Sequence, residues 1–177
     1  PAGRPVYSSA QKSYQLADGQ ENLVVDLKFS ENGVNYIKRF TFKRGLYDLV
    51  VSYEIDNQSA QPWSGNLFAQ LKRDGSDDPS STTATGTATY LGAALWTAAE
   101  PYKKVSMKDI DKGQLKETVQ GGWVAWLQHY FVTAWIPSKD NANAVQTRKD
   151  SQGNYIIGFT GPAVTVAPGA KTEVSAT

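Results

Sequence analysis

The sequence predicts an all-β fold, a sandwich of short antiparallel strands. Three observations point there. Apolar residues recur at every second position in several stretches, above all 23–29 and 47–55, the period of a half-buried strand. Turn residues punctuate those stretches: Asn32-Gly33, Arg44-Gly45, Ser151-Gln152-Gly153 and Ala167-Pro168-Gly169-Ala170. The 177 residues include nine tyrosines, five tryptophans and 15 glycines but one methionine, a balance suited to strands and turns.

Taken in order, Ser13–Leu16 is expected to be a short strand ended by the turn Ala17-Asp18-Gly19. Leu23, Val25, Leu27 and Phe29 then alternate with Val24, Asp26 and Lys28. Asn32-Gly33 is the strongest short hairpin signal, and the return strand places Val34, Tyr36, Phe40 and Phe42 on one face. Lys38 breaks that face, which suggests a sheet edge or a snorkelling stem. After Arg44-Gly45, a third strand presents Tyr47, Leu49, Val51, Tyr53 and Ile55, completing a meander. Asp56–Ser59 is a turn cluster and Leu67–Leu71 a further strand. Residues 73–86 are polar and of low complexity, too poor in apolar surface to offset their ordering entropy, and read as a mobile loop. Leu91–Trp96 fits a strand or a helical turn, and Tyr102–Met107 a strand.

The run 121–137, Gly-Gly-Trp-Val-Ala-Trp-Leu-Gln-His-Tyr-Phe-Val-Thr-Ala-Trp-Ile-Pro, holds three tryptophans, the only histidine and no formal charge. It is too short for a membrane span of ~20 apolar residues and is interrupted by Gln128, His129 and Thr133. We expect a helical turn or break near Trp126–His129 and a strand over Tyr130–Ile136, apolar on both faces and buried on both. A hairpin follows around Ser151-Gln152-Gly153, then a turn at Gly161-Pro162, and Lys171–Thr177 begins a last strand. About ten short strands with regularly spaced turns argue a β-sandwich. At this length one domain over 1–177 is expected, burying roughly 70% of the unfolded surface. Pro1 is not a natural start, so the chain reads as processed or as a piece of something larger.

Function classes narrow by residue type. Net charge is +1, with 18 basic and 17 acidic residues, which gives no footprint for nucleic-acid binding. With no cysteine, disulfide scaffolds, thiol nucleophiles and thiolate zinc sites are excluded. A serine triad would need His129, which lies inside an apolar run and is matched by no serine elbow. Asp74, Ser76 and Asp78 alternate as in a calcium loop, but the remaining ligands of that loop are missing. Two carboxylate pairs, Asp48 with Glu54 and Asp109 with Asp111, are simplest as polar faces of strands or turns. Lys103, Lys104, Lys108, Lys112 and Lys116 alternate with Glu100, Asp109, Asp111 and Glu117, the pattern of a solvated face. The tryptophans of 121–137 read as core, and Trp63, beside Pro62 and Gly65, as the best candidate for an exposed aromatic.

The 121–137 run closely resembles the signature of the large periplasmic domain of the bacterial YidC membrane-protein insertases. Gly3-Arg4-Pro5, Phe42-Lys43-Arg44-Gly45-Leu46-Tyr47 and Pro162-Ala163-Val164-Thr165-Val166-Ala167-Pro168-Gly169 support it. The resemblance implies a β-supersandwich similar to galactose mutarotase, on the periplasmic side of the inner membrane and part of a multi-pass protein. It implies contact with the SecDF accessory subunits of the Sec translocon and with nascent membrane proteins, without enzyme activity, metal or cofactor. The insertase's membrane-spanning core has no counterpart here, so insertion itself is not expected of these residues. Relative to the family's domain the chain looks truncated at both ends, and an unpaired sheet edge covered by a neighbouring chain or fragment is expected there. Mutarotase chemistry does not carry over, because it needs a positioned acid and base and His129 sits in the signature run. The rival reading is a module binding a sugar or extended peptide in a cleft, for which no site residue can be named.

Overall fold

The computed structural model describes residues 4–78 and 90–177. Its elements are β1 (Ser8–Ser9), β2 (Asn22–Glu31), β3 (Val34–Lys43), β4 (Leu49–Asn57), β5 (Trp63–Arg73), β6 (Gly92–Leu95), β7 (Lys103–Val105), α1 (Met107–Lys112), β8 (Lys116–Gln120), β9 (Val124–Gln128), β10 (Phe131–Trp135), β11 (Ala142–Lys149), β12 (Tyr155–Val166) and β13 (Lys171–Ala176). All-β architecture is as expected. The chain divides into two compact units, Pro1–Gly65 with Ala163–Thr177, and Asn66–Pro162.

The first unit carries a five-stranded sheet in the order β1-β2-β3-β4-β13. The β2–β3 hairpin turns on Asn32 (φ 52°) and Gly33 (φ 78°), with Glu31 opposite Val34. Positive φ at both central residues is what makes Asn-Gly the preferred pair. β4 returns antiparallel to β3, completing the expected meander, and β13 pairs along β4 with Thr172 opposite Ile55. The core is Val34, Ile55 and Val166, with Tyr36, Tyr53, Trp63, Val164, Ala170 and Val174 packed against them. On β2 and β3, Asp26 and Arg39 stand in register and form a two-pronged ion pair at 2.8 and 2.9 Å. The hydrogen bond from Arg39 holds the Asp26 carboxyl below its usual range.

Several expectations for this unit are corrected. Ser13–Leu16 is not a strand; the residues paired to β2 are Ser8 and Ser9, five positions earlier. Lys38 is not at an edge, since β3 lies between β2 and β4. Its ammonium lies 5.1 Å from the Phe40 ring centroid and 5.4 Å from that of Tyr53, so cation–π attraction offsets the break in the apolar face. Tyr47 precedes the strand and is fully exposed. Trp63 is not an exposed aromatic: it opens β5, is half-buried, and meets Tyr36 edge-on at 6.1 Å. Its ring occupies the space a side chain at position 65 would need, 2.5 Å from an ideal Cβ there. Gly65 therefore marks a packing requirement, not a turn.

The second unit holds the four-stranded sheet β10-β9-β6-β7. Most of the sheet ordered β5-β12-β11-β8 also belongs to it. β6 is the buried strand, with Ala93, Ala94 and Leu95 at 0% exposure, which resolves Leu91–Trp96 as strand. Tyr102–Met107 is a strand only through Val105, because Ser106 caps α1. The Ser106 hydroxyl accepts from the Asp109 N–H, and the Asp109 carboxylate accepts from the Ser106 N–H, the reciprocal capping box. No turn forms at Gly161-Pro162; β12 runs through both. Of the polar segment 73–86, Arg73 ends β5 and Asp74 Oδ1 accepts from the Ser76 N–H at 3.1 Å. The remainder of that segment, from residue 79, lies outside the described residues.

The β11–β12 hairpin forms around 151–153 as expected, with Lys149 opposite Tyr155 and Gly153 at φ 83°. Asp150 organises it: its carboxylate accepts from the Gln152 and Asn154 N–H groups, both at 2.9 Å, and pairs with Lys72 at 2.7 Å. Lys72 first, then these amides, hold the Asp150 carboxyl far below the ordinary carboxylate range. A carboxyl whose folded pKa is depressed binds more protons when unfolded, so its contribution is complete above the unfolded value near 4 and fades as pH falls below it. We expect the melting temperature to drop on acidification below about pH 4. In Asp150→Asn the drop should be shallower, as read by thermal melts from pH 6 to 2; equal slopes would refute this role.

Candidate functional site

The signature run folds as a hairpin on a glycine hinge. Gly121 (φ 60°) and Gly122 (φ 79°) both occupy the left-handed region, and the Gly121 N–H donates to the Asn141 carbonyl at 2.9 Å. A Cβ on Gly122 would lie 3.0 Å from Trp96 Cε3 and 3.1 Å from the Trp96 carbonyl oxygen. Backbone strain and contact therefore act together, and Gly122→Ala is expected to cost about 2 kcal/mol in chemical denaturation. Trp96 also receives this segment: its N–H donates to the Trp123 carbonyl at 3.0 Å.

From the hinge, β9 enters its sheet between β10 and β6, and Val124, Ala125 and Trp126 are buried. The strand continues to Gln128, so the break expected at Trp126–His129 is instead the two-residue turn His129-Tyr130, with Phe131 opposite Gln128. Tyr130 stands at φ 61°, a conformation that favours Gly or Asn in turns. Its ring stacks on His129 at 3.7 Å, and the His129 N–H donates to the buried Asp78 carboxylate at 3.2 Å.

Burial of Tyr130–Ile136 on both faces is not what forms. Tyr130 is 83% exposed, Phe131 73% and Val132 66%, and Thr133 and Ala134 are exposed too. The reason is topological: among the described residues β10 is the last strand of its sheet, so the apolar residues that suggested a covered strand lie on a sheet edge. The tryptophans do behave as interior residues, Trp126 fully, and Trp123 and Trp135 half-buried.

Beside the hairpin is an open groove of about 400 Å³ lined by Tyr90, Tyr102 and residues 127–132. The Lys104 ammonium sits 4.8 Å from the Tyr90 centroid and 5.5 Å from that of Tyr102. Tyr90 donates to the Ala93 carbonyl at 2.6 Å, and burial pushes its phenol up to about 12, so it stays a neutral donor. Tyr90, Tyr102, Tyr130 and Phe131 give the groove an aromatic wall with one nearby cation.

Three of the four carboxylates paired in the sequence reading, Glu54, Asp109 and Asp111, have other partners. Asp109 caps α1. Asp111 accepts from Lys149 at 2.8 Å and from the Tyr155 hydroxyl at 2.9 Å, and these bonds, Lys149 first, lower its pKa. Glu54 lies 3.9 Å from Lys171, and Lys103 pairs with Glu117, so the basic segment is in part ion-paired, as a solvated face should be. Among the described residues no group of three His, Cys, Asp or Glu side chains could hold a metal ion, and no helix is long and apolar enough to cross a membrane.

The fold is similar to two solved structures of low sequence identity. One is a GH36 α-galactosidase from Geobacillus stearothermophilus in complex with stachyose: TM-score 0.58, 9% identity, covering 93% of this chain and 25% of that one. The other is a galactose mutarotase related enzyme from Lactobacillus acidophilus: TM-score 0.55, 10% identity, covering 97% and 70%. At such identity the likeness concerns fold alone, and it agrees with the expected mutarotase-like architecture. Sequence relatives are far closer. The membrane protein insertase YidC of Pseudomonas syringae pv. syringae is 86% identical over 176 residues, 99% of this chain. That of Pseudomonas fluorescens is 83% identical over 175 residues. The chain spans 31% of the length of these relatives. The family model described as the YidC periplasmic domain matches residues 1–177, and the chain belongs to that family.

Proposed function

We propose that this chain serves a membrane-protein insertase as a non-catalytic contact domain on the periplasmic side of the inner membrane, with SecDF and nascent membrane proteins as its partners. The observation that carries the reading is the aromatic hairpin, whose outer strand exposes Phe131 and Val132 at 73% and 66%. Exposed, contiguous apolar surface marks interaction sites on folded proteins. Carboxylates committed to a helix cap and to ion pairs support a role without catalysis. The resemblance of the sequence to the insertase domain supports the choice of partner. Affinity-tagged chain should retain SecDF from detergent extracts, and retention should fall in Phe131→Ser. Failure of the unmodified chain to retain SecDF would remove the partner assignment. A mutarotation rate above that of buffer would remove the non-catalytic one.

A further inference from the structure

Strand β10 is unusual for an edge. Natural sheet edges are blunted by lysine, proline or bulges, because their free N–H and C=O groups would otherwise pair with other chains. β10 has none of these devices: it reads Phe-Val-Thr-Ala-Trp, inside a segment without charge from Gly121 to Pro137. Its register with β9 is unbroken from Phe131–Gln128 to Trp135–Val124.

Register also shows which backbone groups of β10 point away from β9. Gln128 and Phe131 flank a two-residue turn and so form the hydrogen-bonded pair. Alternation then directs the backbone of Thr133 and Trp135 towards β9, and that of Val132 and Ala134 outwards. Above and below this edge stand exposed Phe131 and Val132, next to the groove lined by Tyr90 and Tyr102. Tyr130 at φ 61° accepts backbone strain that Asn or Gly would avoid, while adding a ring exposed at 83%. Strain borne for an exposed aromatic points to a use outside folding.

We propose that β10 receives an extended, uncharged polypeptide segment by strand addition, its backbone bonding to Val132 and Ala134 and its successive side chains meeting in turn the face that bears Phe131 and the face that bears Val132. This rests on the contact-domain reading and names its mode and the chemistry of the partner. Neutrality is the complementary choice, since a charged segment would be desolvated beside a charge-free strand with nothing to pair it. A bilayer surface fits less well: it would cover the aromatic rings but leave the Val132 and Ala134 backbone groups without partners in a medium that supplies none. An added strand satisfies rings and backbone together.

The test is anisotropy of a fluorescein-labelled peptide of alternating valine and threonine, titrated with the 177-residue chain. Val132→Pro removes an outward N–H without touching the β9 ladder and should weaken binding at least tenfold, while Val132→Thr, which keeps the backbone, should stay within about threefold. Peptides N-methylated on one alternate set of residues should lose binding, and on the other set keep it. The inference is overturned if both methylated peptides bind alike, if the unmodified peptide does not bind, or if Val132→Pro binds as the parent does. It is also overturned if sedimentation shows β10 consumed in a dimer that Val132→Pro dissociates, or if only phosphatidylglycerol vesicles bind. SecDF retained by a chain that ignores the peptide would sink strand addition and spare the contact reading; SecDF lost by a chain that binds the peptide would do the reverse.

Discussion

Asn57→Leu is expected to lower stability by about 3 kcal/mol at this fully buried site, although leucine keeps the branched side-chain skeleton of asparagine. The Asn57 side chain bridges distant parts of the first unit. Its Nδ2 donates to the Gln61 carbonyl and to the Val166 carbonyl, both at 2.8 Å, the latter across 109 positions of sequence. Its Oδ1 accepts from the Ser59 N–H at 3.1 Å and the Ser59 hydroxyl at 2.7 Å. Leucine would leave the Val166 carbonyl facing apolar atoms, and a buried acceptor deprived of its donor costs about 1–3 kcal/mol by itself. Loss of the Ser59 and Gln61 bonds adds to it. Asn57→Asp separates this account from one based on shape. The carboxylate would face two carbonyl oxygens, so that variant should be weakest at neutral pH and recover as acid protonates it. Urea denaturation at pH 7 and pH 5 reads both; a loss below about 1 kcal/mol for Asn57→Leu would show that the bonds are replaceable.

Asn57 also shows where sequence reading reaches its limit. Asp56–Ser59 is recognisable as turn chemistry, yet nothing local says that Asn57 spans to Val166 or is buried. The meander was legible because each strand repeats a period of two and the Asn32-Gly33 turn states its own geometry. α1 was less so, although Ser106 and Asp109 stand at capping-box spacing; a six-residue helix offers too little periodicity to outweigh the strand-like stretch from Tyr102 to Val105 before it. The His129-Tyr130 turn carried no signal at all, because neither residue is a usual turn former and Tyr130 takes positive φ against its own preference. Hence the apolar tail after it suggested a covered strand. Composition reports that a strand is apolar; only topology reports that it is last in its sheet. The candidate site was therefore visible as a stretch and invisible as a surface.

Gly158→Ala should be the most damaging single methyl group in the second unit, with an expected loss of about 3 kcal/mol. The backbone at Gly158 does not have the positive φ of the turn glycines, so conformational preference is not the cause. Space is. An ideal Cβ there lies 2.5 Å from the Ala69 carbonyl oxygen, 2.9 Å from Gln70 Cβ and 3.1 Å from Gln70 Cα. Two of those three atoms are main chain, so the clash cannot be relieved by a rotamer change and β5 must move away from β12. Its neighbours are Ile157 and Phe159 at 0% and 1% exposure, which makes the displacement felt where packing is densest. Gly161, on the same strand, supplies the control. The nearest atom to its ideal Cβ is 3.6 Å away, an ordinary contact, and Gly161→Ala should change stability by no more than about 0.5 kcal/mol. Chemical denaturation of the two variants side by side measures the difference. Equal losses would mean that glycine in β12 is kept for backbone freedom; a large loss at 158 alone would show that it is kept because β5 approaches too closely for any side chain.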